Sequence, residues 1–238
     1  MSKVLSILVP VFNEEKTIIT LIEKVNQLVL RNGWSKEFII VDDASWDRTP
    51  ELVKSFLGKT SNAISYVKHD INQGKGKAIK TGLEKCSGDY TVILDADLEY
   101  DPAEINLLLA PVDGGYADVV YGSRFVGGRP HRILFFWHSI GNKFLTFVSN
   151  MFTNLNLTDM EVGYKLFKTS LLKGIDLQEK SFGFEPEVTA KISRIKGVRI
   201  YEVGISYYGR TYAEGKKIDW RDGLRALYCI IKYNIFSR

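Results

Sequence analysis

The sequence predicts an α/β fold with a mainly parallel central sheet and helices on both faces. Short apolar runs alternate with segments of helical periodicity through the first half of the chain, and each run is followed by polar, acidic or glycine residues. Such alternation requires crossover helices, which make the strands parallel and cover both faces of the sheet. The 238 residues suffice for one large domain with a substantial core and are too few to assume two full ones.

Residues 4–9 read as the first strand, and Ile18, Leu21, Ile22, Val25, Leu28 and Val29 form the apolar stripe of the next helix. Residues 38–41 are a short buried strand. A turn then leads to a helix with Asp47 as N-cap and Pro50 in its first turn. Residues 64–67 make the third strand, the glycine-rich loop 72–76 opens a helix across 78–85, and 90–94 is the fourth strand. Further on, a helix follows Pro102, another starts at Pro186 and runs through Val188 and Ile192, and 199–203 is a late strand.

In a parallel sheet the ligand binds beyond the carboxyl ends of the strands. There the chain places Pro10, Phe12, Asn13 and Glu14; then Asp42, Asp43, Ser45 and Asp47; then His69, Asn72, Gly74 and Lys75; and then Asp95. Collected on one sheet edge, these residues suit a nucleotide: carboxylates for base and ribose, a metal for a diphosphate, and a flexible loop between them.

Asp95, Asp97 and Glu99 put three carboxylates at alternate positions after the fourth strand. Gathered carboxylates repel each other, and a hard cation such as Mg²⁺ or Mn²⁺ relieves this by taking oxygen ligands. The same residues also suit a solvated turn capping the helix after Pro102, and the segment by itself leaves both readings open. Two other nucleotide motifs are absent. Gly74, Lys75, Gly76 and Lys77 fail the P-loop spacing, with no glycine five residues before Gly76 and Ala78 where Ser or Thr belongs. The first turn lacks the three spaced glycines of a dinucleotide fingerprint.

Composition narrows the class further. Hydrophobic residues make up 45% and charged residues 25%, which is ordinary for a globular protein and excludes disordered and fibrous classes. A net charge of +4 and a pI near 8.9 suit an anionic ligand or a membrane surface and are too small to indicate nucleic acid. Cys86 and Cys229 are the two cysteines, so neither a disulfide framework nor a cysteine metal cluster is expected, and a reducing compartment is. Residues 4–12 are interrupted by Ser6 and Pro10 and followed by Glu14 and Glu15, unlike a signal peptide. Nothing reads as a membrane-spanning helix.

One helix, near 132–152, has an unusually large aromatic surface. Ile133, Leu134, Phe135, Phe136, Trp137, Ile140, Phe144, Leu145, Phe147, Val148, Met151 and Phe152 supply it, with Arg129, Arg132 and Lys143 beside it. Such a helix suits the lipid interface; by pattern alone an apolar stripe of this kind more often marks a core or a dimer contact. Residues 224–236 form a second segment of this kind.

Taken together, these residues resemble the family 2 glycosyltransferases, and within them the polyprenyl-phosphate sugar synthases such as dolichol-phosphate mannose synthase. The marks are Pro10, Phe12, Asn13 and Glu14; Asp42, Asp43, Ser45, Asp47 and Thr49; Asn72, Gly74 and Lys75; Asp95, Ala96, Asp97 and Leu98; and Gly122, Ser123 and Arg124. The resemblance implies a single GT-A domain over 1–238, Rossmann-like, with a nucleotide-sugar half at 1–123 and an acceptor half at 124–238. It implies that Pro10, Phe12, Glu14, Val41 and Asp43 hold the nucleoside, that Asn72, Gly74, Lys75 and Ala96 line the donor site, and that Asp95, Asp97 and Glu99 approach Mg²⁺ or Mn²⁺. Phe12 stands where the family often has Tyr, Glu99 where the dolichol enzymes often have Gln, and Phe135 where they usually place a second Arg.

The activity so implied is inverting transfer of a hexose, mannose or glucose, from a GDP- or UDP-sugar to a dolichyl or undecaprenyl phosphate. It would occur at the cytoplasmic face of a membrane, with the protein bound peripherally through the aromatic helix. Arg124 is the expected seat of the acceptor phosphate, because a guanidinium grips phosphate bidentately; Arg129, Arg132 and His138 are its candidate helpers. Asp159 and Glu161 lie where family members with hydroxyl acceptors place a catalytic base; a loop capped by Asp159 is the alternative. Glu185 is a candidate for facing the sugar hydroxyls. The segment 208–217, with Arg210, Lys216 and Lys217, resembles a basic loop that closes over the diphosphate and excludes water. Two other functions remain open at this level: transfer to a soluble glycan or protein hydroxyl, and a non-catalytic scaffold that keeps the fold.

Overall fold

The structure is a computed structural model that describes residues 3–58, 64–133, 135–211, 214 and 220–236. Strand β1 (Val4–Val11) is buried along all but its first residue, as expected for a strand covered on both faces. It is flanked in parallel by β2 (Ser35–Asp42) and β4 (Tyr90–Ile93), and β3 (Ile64–Lys68) adds in parallel to β2. The sheet is completed by β5 (Val119–Ser123), β6 (Lys165–Lys168) and β7 (Ile200–Gly204). Among the described residues it has seven strands, in the order β3, β2, β1, β4, β6, β5, β7.

Helix α1 (Ile18–Gln27) buries Ile18, Leu21, Ile22 and Val25, spaced to form one face of an α-helix. Helix α2 (Thr49–Leu57) starts two residues beyond the expected cap: Arg48 holds the N-cap position, while the Asp47 carboxylate still accepts the Thr49 N–H at 2.9 Å. Helix α3 (Lys75–Lys85) begins inside the expected glycine-rich loop. Gly74, at φ +94°, makes the turn, and a Cβ there would collide with the carbonyl of Lys180. The other α-helices among the described residues are α4 (Ile105–Asp113), α5 (Phe136–Thr153), α6 (Thr169–Lys173), α7 (Phe184–Ile192) and α8 (Trp220–Ile231), the last running on into a π-helical stretch, Lys232–Phe236.

β6 carries most of the consequence for function. It lies antiparallel between β4 and β5, with Lys165 beside Ile93. Because it runs backwards, its beginning lies where β4 ends, so the segment that enters it, residues 159–164, is delivered to the carboxyl edge of the parallel strands. β5 and β7 are parallel to each other and share the direction of β4, so Arg124 and the residues after Gly204 reach the same edge. The strand order reverses between β1 and β4, a switch point at which ligands bind in open α/β sheets.

Candidate active site

At this edge a cleft of about 970 Å³ opens, within the range of ligand pockets. Pro10, Phe12, Glu14, Asp43, Asn72, Gly74, Lys75, Asp95, Ala96, Asp97, Glu99, Arg124 and Arg210 all line it. Two residues expected there do not. Val41 is wholly buried and packs on α3, where one of its methyls would meet a Cβ at Gly82; only its backbone is near the strand end. Asp159 is wholly buried behind Arg124. Lys216 lies outside the described residues, as do Tyr212, Ala213, Gly215, Lys217 and, on the aromatic segment, Leu134.

The loops after β1, β2 and β4 each contain a non-glycine residue in the left-handed region: Asn13 (φ 52°), Ala44 (φ 62°) and Leu98 (φ 60°). Such conformations are unfavourable for Ala and Leu and persist where surrounding contacts fix them. The contacts are visible. Asp42 accepts the Ser45 N–H at 2.8 Å and the Tyr66 hydroxyl at 2.8 Å. Asp43 Oδ1 lies 2.7 Å from His69 Nδ1 and accepts the Gln73 N–H at 2.9 Å, while its Oδ2 accepts the Gly74 N–H at 2.6 Å. Asp43 therefore joins the end of β2 to the turn that opens α3.

The carboxylates after β4 are held individually. Lys75 Nζ bridges Asp95 at 2.8 Å and Glu185 at 2.9 Å; burial alone would lower this ammonium's pKa, but the two carboxylates outweigh it and raise it. Glu99 Oε2 accepts the Tyr207 hydroxyl at 2.8 Å, and its Oε1 accepts the Arg210 N–H at 2.7 Å. The Arg210 guanidinium donates to Glu14 and to Asp97, each at 3.1 Å. Burial, and then the negative charges of Asp95 and Glu99, push the Asp97 carboxyl up to about 7.

This arrangement bears on the expected metal. Among the described residues, no three His, Cys, Asp or Glu side chains converge as a ready ligand set, because Asp95 is drawn to Lys75 and Glu99 to Tyr207 and Arg210. The chemistry nevertheless fits a hard divalent cation. Asp97 is a half-buried carboxylate crowded by the charges of Asp95 and Glu99, and its positive partner is an arginine from another segment of the chain.

At the other end of the cleft, Arg124 forms a fork-to-fork pair with Asp159, Nε to Oδ2 and Nη2 to Oδ1, each at 2.6 Å. Asn142 Nδ2 adds a bond to Asp159 Oδ1 at 3.1 Å, and Arg124 lies over the Tyr207 ring at 5.3 Å. Both oxygens of Asp159 are thus engaged away from the cleft. Of the two expectations for Asp159, a base or a loop cap, the hydrogen bonds from the Arg124 backbone N–H and guanidinium fit a carboxylate that fastens the loop after β5.

Glu161 and Glu185 both line the cleft. Gly163, two residues after Glu161, packs directly on Asp95: a Cβ there would collide with Asp95 Oδ2. Sequence reasoning passed over Tyr100, Tyr207, Trp220 and Asp222, which also line the cleft. Tyr207 carried a signal, since it directly precedes the loop assigned to the diphosphate; the other three carried none.

The fold and this cleft define a GT-A transferase, a sheet whose carboxyl edge gathers acidic turns at one end and a cationic seat at the other. Residues 6–175 match the family described as Glycosyl transferase family 2, and the chain belongs to that family. It is 25% identical over 212 residues to the dodecaprenyl-phosphate galacturonate synthase of Rhizobium johnstonii, covering 89% of this chain and 61% of that protein. It is 26% identical over 231 residues to the dolichol-phosphate mannosyltransferase of Pyrococcus furiosus, covering 96% of this chain and 64% of that protein. The chain therefore spans less than two thirds of the length of these two relatives. A crystal structure of the Mycobacterium tuberculosis glucosyl-3-phosphoglycerate synthase with Mn²⁺, UDP and glucosyl-3-phosphoglycerate shares the fold. Its TM-score is 0.73 at 18% identity, over 98% of this chain and 80% of that one.

Proposed function

We propose that this glycosyltransferase moves a hexose, mannose or glucose, from a GDP- or UDP-sugar to a polyprenyl phosphate such as dolichyl or undecaprenyl phosphate, with inversion. The observation that carries the reading is the Arg124 seat: a half-buried guanidinium, held by Asp159 through Nε and Nη2, lines a cleft whose rim is formed by exposed aromatic residues of α5 and α8. Trp137 of α5 and Trp220 of α8 line the cleft and are 78% and 70% exposed. A lipid phosphate needs both features, a cation for its head and an apolar surface for its tail. The two curated relatives described above are named as polyprenyl- and dolichyl-phosphate enzymes, which supports the same choice.

Pro10, Phe12, Glu14 and Asp43 lie where the nucleoside is held, and Asn72, Gly74, Lys75 and Ala96 where the diphosphate and sugar follow. Asp97 and Asp95 would hold Mg²⁺ or Mn²⁺, with Glu99 beside them. The ion supplies neutralisation of charge that builds on the leaving nucleoside diphosphate. Arg210 caps Glu14 and Asp97, and with a cation held on those carboxylates it would be free to bind a phosphate of the donor. Arg124 holds the acceptor phosphate for attack from the face opposite the leaving group. An ionised phosphate is already a nucleophile near neutral pH, so no free base is needed, in keeping with the engagement of Asp159. Among the described residues no helix is long and apolar enough to cross a membrane, and α5 and α8 are the surfaces assigned to peripheral contact at the cytoplasmic face. Pairing of two copies through α5 would compete with that contact.

A panel of nucleotide sugars screened by thermal shift with Mn²⁺ identifies the donor, because ligand binding stabilises the native state in step with the logarithm of ligand excess. Short-chain polyprenyl phosphate is then offered with that donor. Partition of labelled sugar into the organic phase is the expected result; transfer only to soluble hydroxyl acceptors would overturn the acceptor assignment.

A further inference from the structure

Two of the buried glutamates, Glu187 and Glu179, are each held by several partners. Glu187 accepts the Gln178 and Glu179 N–H groups at 2.7 and 2.8 Å and pairs with Lys191 at 2.6 Å. Glu179 is held by Arg225, Lys232 and Tyr233. Glu161 differs. It lines the cleft, yet its Oε1 is buried without a hydrogen-bond partner among the described residues. A buried polar atom in that condition is costly, and a native chain retains one where a ligand will satisfy it.

The position of Glu161 says what kind of ligand. Asp159, two residues before it, grips Arg124, and Gly163, two residues after it, abuts Asp95. Glu161 therefore belongs to the short segment that joins the acceptor seat to the donor carboxylates, where the transferred group must sit. Burial, and then the charge of Glu185, push its carboxyl up to about 8, so at neutral pH it carries a proton. A protonated carboxyl offers one donor and one acceptor, the complement of a hydroxyl. A phosphate finds its partner in Arg124 instead.

We propose that Glu161 is a specificity-determining residue for the transferred sugar, with Oε1 exchanging a hydrogen bond with one hydroxyl of the hexose on the wall shared with Glu185. The inference rests on the glycosyl-transfer reading above. Its chemistry asks only for a hexose with a hydroxyl at that place, whichever nucleotide carries it.

The test pairs a change in the enzyme with a change in the sugar. Wild type, Glu161→Gln and Glu161→Ala are assayed with the accepted nucleotide hexose and its monodeoxy analogues, and binding of the free nucleoside diphosphate with Mn²⁺ is measured by calorimetry. For wild type, one deoxy analogue should lose roughly ten- to a hundredfold in kcat/KM, the range for a single lost hydrogen bond. Glu161→Ala should lose a similar factor on the full sugar and nothing further on that analogue, while Glu161→Gln, which keeps a donor and an acceptor, should retain most of the discrimination. Nucleoside diphosphate binding should be unchanged in both variants, which also establishes that they fold. Equal losses for every sugar, or an alanine variant that still rejects the same analogue, would overturn the assignment of Glu161 while leaving glycosyl transfer intact. Wild-type protein that binds no nucleotide would overturn the glycosyl-transfer reading, and this inference with it.

Discussion

The donor side of the cleft and the α5–α8 surface are built on opposite rules. On the donor side polar groups satisfy one another: Asp43 ties β2 to the start of α3 through His69, Gln73 and Gly74, and Lys75 bridges Asp95 and Glu185. On the other side apolar groups are left without cover. Phe136, Trp137, Ile140, Phe144, Phe147 and Met151 of α5, and Trp220, Leu224 and Tyr228 of α8, are exposed, with Lys143, Arg221 and Arg225 on the same helices. Scattered exposed apolar residues are normal, but a contiguous aromatic patch marks an interaction surface. The difference teaches that the cleft's acidic side is held together by its own side chains, whereas the α5–α8 surface leaves apolar groups uncovered, as the proposed lipid-phosphate acceptor would require.

Breaking the donor side should have the largest effect. Asp97→Ala should lower transfer by about a thousandfold or more, since it removes the carboxylate best placed for a cation at the leaving diphosphate. Circular dichroism should show the fold unchanged, because the lost carboxylate is one that burial disfavours. Full transfer by this variant would remove the proposed cation from the account.

Breaking the junction of the two regions comes next. Arg124→Ala strands the Asp159 carboxylate in the interior, and removing one partner of a buried pair typically costs about 3–5 kcal/mol. Urea unfolding measures that loss. Asp159→Asn separates base from positioning residue: if Asp159 orients Arg124, KM for the lipid phosphate rises more than kcat falls, whereas a base would lose kcat first.

Breaking the apolar surface should matter less. The double change Trp137→Ser and Trp220→Ser should weaken binding to anionic vesicles by about tenfold, in line with the loss of two interfacial aromatics, and leave nucleotide binding as it was. Sedimentation with phosphatidylglycerol vesicles reads the first and calorimetry the second. Unchanged vesicle binding together with a shift from dimer to monomer would assign the patch to pairing.

The smallest effect is in pH dependence. Glu161 lies above its usual value, at about 8, and a carboxyl raised by folding binds its proton more tightly in the native state. Its contribution to stability is then full below pH 4.5 and lost as pH rises through about 8. Asp97, raised to about 7, acts in the same direction. Lys165, which burial pushes down to about 8, acts above that window. In the absence of divalent cation the thermal midpoint should therefore fall between pH 5 and pH 8, and Glu161→Gln should flatten that fall. A slope unaffected by the substitution would contradict the assigned ionisation.

Much of the fold was legible because parallel strands buried on both faces write themselves as apolar runs, as β1, the second half of β2 and β4 do; β3, at the sheet edge, is only partly covered. β6 was not legible. Residues 165–168 are four residues with lysine at both ends, and their pairing between β4 and β5 is decided by tertiary contacts rather than by local pattern. The missed strand also separates two residues of the site. Without it, Asp159 and Glu161 read as one acidic pair in a loop; with it, one turns inward to hold Arg124 and the other lines the cleft. Arg210 was legible as a basic loop residue near a diphosphate, but its placement on Glu14 and Asp97 depends on β7 running parallel to β5, which no local signal specifies.

The measurement closest to the central claim is transfer itself. The protein is incubated with labelled GDP-mannose or UDP-glucose, Mn²⁺ and a short polyprenyl phosphate in anionic vesicles, with and without a chelator, and the anomeric configuration of any lipid-linked product is determined. The expected result is an acid-labile lipid-linked hexose of inverted configuration that disappears with chelator. Absence of such a product with every common donor, or an equal yield with the cation removed, would contradict the account.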